Sequence, residues 1–156
     1  MIQRKQTVFL LLAVLAYVLC LFFPIGCIEP QGMGAPAKVY NLGVVAEEGG
    51  ISILGTCVPL FILAAVSAIL SLVNIFLYRN RLMQINLCGV TALFTILWCV
   101  DYALLFTGVV PVGDFAGTFS IRFAACFPIV ALILVLLARK GVKDDERLVR
   151  AADRIR

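Results

Sequence analysis

Four apolar runs decide most of what this chain can become. They lie at about 8 to 28, 57 to 78, 83 to 107 and 119 to 138. Each supplies about the 20 helical residues that cross a hydrocarbon core of about 30 Å at about 1.5 Å per residue. Of 156 residues, 63% are hydrophobic and 14% charged, where a soluble domain carries about 45–50% and about 25%. The expected fold is therefore an all-α membrane protein. A four-transmembrane-helix bundle occupies residues 1–140 and a basic tail follows at 141–156.

Lys and Arg orient such a bundle, because basic residues near span ends stay on the cytoplasmic side. Eleven of the thirteen, namely Arg4, Lys5, Arg79, Arg81, Arg139, Lys140, Lys143, Arg147, Arg150, Arg154 and Arg156, fall on one side. Both termini are thus expected in the cytoplasm. That side sums to +7 and the opposite loops to −3, an asymmetry hidden in the net +4. The balance concerns a membrane and gives no reason to expect nucleic acid.

The opening MIQRKQTVFLLLAVLAYVLCLFFPIGC has two readings. It is a retained first span, or an export signal cleaved before a lipid-carrying Cys27. Its apolar core runs about 16 residues from Val8 to Phe23, beyond the usual ~7–15 of a signal. Pro24 also stands three before Cys27, where a lipoprotein signal carries an aliphatic residue. Both features favour the retained helix.

After that span, KVYNLGVV and ISILGT flank EEGG, which predicts a small β-hairpin on the periplasmic face. Pro59 suits a first helical turn, so span two should begin beside it. Ala64, Ser67, Ala68, Ser71 and Asn74 recur at spacings of three and four, as a helix-packing face requires. Span three carries Asn86 and Gly89, with Thr91 and Thr95 on an adjacent face. Pro128, in the middle of the predicted span four, should bend it. In the tail, Asp144 and Asp145 are suited to start a short amphipathic helix. Glu146 can pair with Arg150, and Arg147, Arg150 and Arg154 face away from Leu148, Ala151, Ala152 and Ile155. Such a helix suits anionic headgroups or a protein partner.

There is no histidine in the chain, which removes Ser-His and Cys-His nucleophile pairs and the common His-containing metal sites. No catalytic set, cofactor or metal site is expected. Of the six cysteines, Cys27 and Cys57 are brought to the outer face by the ends of spans one and two, and a disulfide between them is one reading. The sharpest polar feature is Asp101, about 9 Å inside the outer end of span three at the usual rise. A carboxylate there is a paired group or a functional site. Arg122 is its natural partner, at similar depth on the antiparallel span four.

The start MIQRKQT, the inner turn FLYRNRLMQINLC and the tail KDDERLVRAADRIR together resemble a family of small four-span inner-membrane proteins from the Bacteroidota, described as a domain of unknown function. The resemblance covers essentially the whole chain and implies a mature first helix and an inner-membrane location. It carries no activity, substrate or catalytic residue. Three functions remain open on the residues themselves. One is an interaction or assembly protein whose basic cytoplasmic surface, Arg4, Arg79, Arg81 and the tail, recruits a partner or lipid. Another is a small transporter or lipid-handling protein built on Asp101 and Arg122, which would need an oligomer to enclose a path. The third is a thiol oxidoreductase, which the cysteine pattern supports least, because only Cys27 and Cys57 face outward.

Overall fold

The computed structural model describes residues 3–30, 36–45, 51–77, 80–108 and 117–153. Helix α1 (Gln3–Phe22) runs without Gly or Pro until Pro24, which pushes the residue before it out of the helical region. Helix α2 (Val58–Phe76) begins with Pro59 in its first turn, as expected. Helix α3 (Arg81–Phe106) ends where Gly108 takes a φ of 71°, a left-handed conformation that glycine adopts without a Cβ clash. Helix α4 (Phe127–Asp153) is preceded by a short 3-10 turn, Phe123–Cys126.

Among the described residues, three stretches are long and apolar enough to cross a membrane: α2, α3 and the segment Phe123–Ala151. A shorter apolar helix, Gln6–Phe22, accompanies them. The chain is a multi-pass membrane protein, mostly helical. Helix α1 packs on α2 and α4, and α3 packs on the same two, so the four lie side by side in a ring.

The strand content exceeds the single hairpin expected, for among the described residues five strands form one antiparallel sheet. These are β1 (Gly26–Pro30), β2 (Ala37–Val39), β3 (Gly43–Val45), β4 (Ile51–Ile53) and β5 (Gly117–Ile121), in the order β4-β3-β2-β1-β5. The expected hairpin is present as β3 and β4, with Val44 opposite Ser52; its EEGG turn lies outside the described residues. The predicted spans one and four took in the first part of β1 and the last part of β5. Each lies at the end of an apolar run, where periodicity alone does not separate strand from helix. Strand β5 pairs along the whole of β1, from Gly26 opposite Ile121 to Pro30 opposite Gly117. A side chain at Gly26 would put its Cβ 2.2 Å from Cζ of Phe119, so the close packing of that ring requires glycine.

Two further corrections concern α4. Pro128 is its second residue, where the missing N–H is one of the groups a helix leaves unbonded anyway, and so it does not interrupt the ladder. Nor does a new helix start at Asp144 and Asp145, for α4 passes through them unbroken to Asp153.

Under the sheet, Ile25, Ile28, Val39 and Val44 pack with Leu60, Trp98, Tyr102 and Leu105. Further from it, Leu10, Ala13, Ala16, Ala68, Ala92, Ala131, Val135 and Ala138 bring the helices close. Ser67, Ser71, Asn74, Thr91 and Thr95 are buried, while Leu11, Leu15, Ile69, Leu93, Ile133 and Leu137 are exposed. This apolar exterior around weakly polar contacts suits packing in lipid. Asn86, expected on a packing face, points outward.

Candidate functional site

The end of the bundle away from the sheet carries the densest polar sequence. Gln6 Nε2 donates to Asp145 Oδ2 at 2.5 Å, and Arg81 donates to the Asp145 carbonyl at 3.5 Å. These contacts tie α1 and α3 to α4 beyond its apolar stretch. Gly141 leaves the room, since a Cβ there would lie 3.1 Å from Gln6 Cγ. Arg150 Nε meets Glu146 at 2.9 Å, the pairing expected from the sequence, and Arg147 reaches Asp144 at 3.9 Å. Both pairs are surface contacts of small energetic weight. A cleft of about 490 Å³ opens between the start of α3 and α4, lined by Asn80, Arg81, Leu82, Met83, Glu146 and Val149. Leu82, Met83 and Val149 are exposed beside these charges. Arg79 and Arg154 lie outside the described residues, as does the side chain of Arg4.

At the sheet end, Asp101 and Arg122 do not meet. The salt bridges among the described residues are the two on α4, and Asp101 Oδ2 is buried with no hydrogen-bond partner. The reason is local. Residues 117–121 form an edge strand, so Arg122 sits exposed at a strand-to-helix junction instead of on a helix facing α3. Its backbone N–H bonds Ile25 O at 3.1 Å.

Cys27 and Cys57 are both buried and both free. Strand residues alternate faces, and Gly26 and Ile28 share the face that carries Val39, Ala37 and Phe119 toward the helices. Cys27, opposite Lys38 and Ser120, belongs to the other face, whereas Cys57 packs in the core beneath the sheet. Burial pushes the Cys57 thiol above its ordinary 9.0, and the Asp101 carboxylate adds to the effect.

Sequence reasoning missed Asn41, the most connected buried polar side chain here. From the β2–β3 turn it donates to Cys20 O at 2.7 Å and accepts from Trp98 Nε1 at 3.0 Å. Tyr102, stacked on Trp98 with centroids 5.2 Å apart, donates to Ile25 O at 2.8 Å. The available signal was the single tryptophan of the chain and an Asn between two β-prone pieces. Deeper in the bundle, Thr95 uses its hydroxyl proton on Thr91 O, so Tyr17 donates to Thr95 Oγ1 at 2.5 Å. Asn74 donates to Cys88 Sγ at 2.9 Å.

These arrangements hold the helices together. The thiols of Cys20 and Cys88 accept from amides, and neither has a base beside it among the described residues. No three Cys, Asp or Glu side chains cluster as metal ligands among those residues. The family model of a domain of unknown function, DUF4293, matches residues 2–155. No curated protein matches the chain.

Proposed function

The chain belongs to the DUF4293 family of unknown function, and we propose from its own residues that it is a non-enzymatic assembly protein of the bacterial inner membrane, with four spans and cytoplasmic termini, that gathers a partner protein at the cleft between α3 and the end of α4. The observation carrying this reading is the extension of α4. Of its 27 residues, those beyond Lys140 alone amount to about 20 Å, past the basic pair that ends its apolar stretch. With Arg139 and Lys140 at the inner headgroups, the last 13 residues stand clear of the membrane, held by Gln6 and Arg81. The cleft places Leu82, Met83 and Val149 beside Arg81 and Glu146. Anchors of this kind within a charged rim suit a protein surface. A purely anionic lipid surface gains nothing from Glu146.

Helix α1 serves as the fourth span on the same reading. Its end leads into β1, paired with the strand that precedes α4, and its start bonds Asp145 near the far end of α4. A helix fastened at both ends to a crossing neighbour crosses too.

The test is in-membrane crosslinking of the full chain against Arg81→Gln/Val149→Asp, followed by identification of the adducts. A defined partner lost in the double variant, with the protein folded and inserted, supports the reading. Identical adducts from both would remove it. A transporter or lipid-handling role has one observation in its favour, the buried Asp101 Oδ2 with no hydrogen-bond partner among the described residues, and predicts that Asp101→Asn abolishes function while the cleft variant does not.

A further inference from the structure

We propose that the cleft between the end of α1 and the start of α4 binds a phospholipid of the outward-facing leaflet, with Arg122 holding the phosphate and the surrounding rings holding an acyl chain. The cleft, about 350 Å³, is lined by Phe23, Pro24, Arg122, Phe123, Ala124 and Phe127. The lining surface is almost wholly apolar, and the one charged residue at the cleft, Arg122, is exposed.

Depth places that cation at headgroup level. From Arg122 to Arg139 the chain runs through a 3-10 turn and then α-helix, which is about 28 Å at the usual rises. A hydrocarbon core is about 30 Å thick. The two arginines therefore bracket one crossing, Arg139 at the inner boundary and Arg122 at the outer, where phosphates lie.

The site is also built in advance. The Arg122 N–H bonds Ile25 O and its carbonyl accepts from Ala125 N, each at 3.1 Å, so the backbone is committed and the guanidinium is the group left to bind. It forms no ion pair among the described residues. A planar guanidinium fork matches phosphate oxygens two at a time. Phe123 and Phe127 pack edge to face at 5.4 Å, giving the chain a fixed wall, yet Phe123 stays 77% exposed and Phe23 51%. A second copy docked two-fold on this cleft would bring another Arg122 to the first, with no acid among the lining residues to separate them. A lipid phosphate supplies the missing charge and its chain covers the rings.

Delipidated protein in mild detergent, given phosphatidylglycerol and observed by native mass spectrometry, tests this. One lipid should stay bound per chain. Occupancy should fall about tenfold in Arg122→Gln, as loss of one charge-assisted contact implies, with thermal melting unchanged. Phe123→Ala, which removes an exposed ring, should weaken binding even if Arg122→Gln folds poorly. Diacylglycerol with the same chains should not be retained. Equal retention of phosphatidylglycerol by the wild type and both variants would overturn the proposal, as would retention of diacylglycerol or a dimer in place of the adduct.

Discussion

At the scale of single residues, the docking of the sheet onto the helices turns on Asn41. Its amide bridges Cys20 O on α1 and Trp98 on α3, and the site is fully buried. Asn41→Ala would leave a buried indole N–H and a buried carbonyl without partners, at about 1–3 kcal/mol each. Asn41→Asp should be no better, because a carboxylate accepts from Trp98 but cannot donate to Cys20 O. Both variants are expected to melt lower in detergent, with Trp98 emission shifted red before global unfolding. Cys57 gives the pH dependence. Its raised pKa means the folded state keeps the thiol proton after the unfolded chain has lost it. That stabilisation is complete below the ordinary 9.0 and declines as pH rises through the folded value. Alkaline titration should therefore lower the melting temperature of the wild type more than that of Cys57→Ala. Little of this was readable from the sequence, because Asn41 acquires its role from contacts 21 and 57 residues away. Ser67 and Ser71 were readable, since spacing alone puts them on one face.

At the scale of elements, α4 separates two kinds of prolyl effect. Pro128 sits in its first turn, so Pro128→Ala should leave stability nearly unchanged. Gly141 lies in an unbroken stretch and faces Gln6. Gly141→Pro removes an interior hydrogen bond and clashes with the preceding turn, at about 3 kcal/mol or more. It should also detach the last turns from Gln6 and Arg81. Amide hydrogen exchange is the direct measurement: protection beyond residue 141 should collapse in Gly141→Pro and persist in Pro128→Ala. The sequence reading misplaced Pro128 for one physical reason. It began span four about eight residues early, counting the last part of β5 and the 3-10 turn as helix, and that shift carried Pro128 from the first turn to mid-span. Strand β5 exists because β1 offers it a paired edge, a condition no local pattern records. The β3–β4 hairpin was legible because its two strands and its turn chemistry are adjacent in sequence.

At the scale of the molecule, one sheet fixes the sense of four helices. Strand β1 follows α1, β4 precedes α2, β5 follows α3 and leads into α4, and all three strands belong to one sheet. Two helices therefore end at the sheet and two begin there, so the bundle alternates up and down. The far end gathers Gln6, Arg81 and Asp145. On the proposed topology the sheet is periplasmic, and the basic residues hold the opposite end in the cytoplasm. Single cysteines introduced at Lys38 and Leu148, both exposed, test the arrangement in a Cys126→Ala background that removes the exposed native thiol. A membrane-impermeant maleimide should label the Lys38→Cys protein in cells whose inner membrane is intact, and Leu148→Cys only after that membrane is opened. If α1 instead lay on one surface, β1 would remain on the side where the chain starts. Gln6 would then lie level with the sheet, yet it bonds Asp145 at the opposite end of α4. Reversed labelling, with Leu148→Cys reached in intact cells and Lys38→Cys only in opened ones, would overturn the proposed orientation.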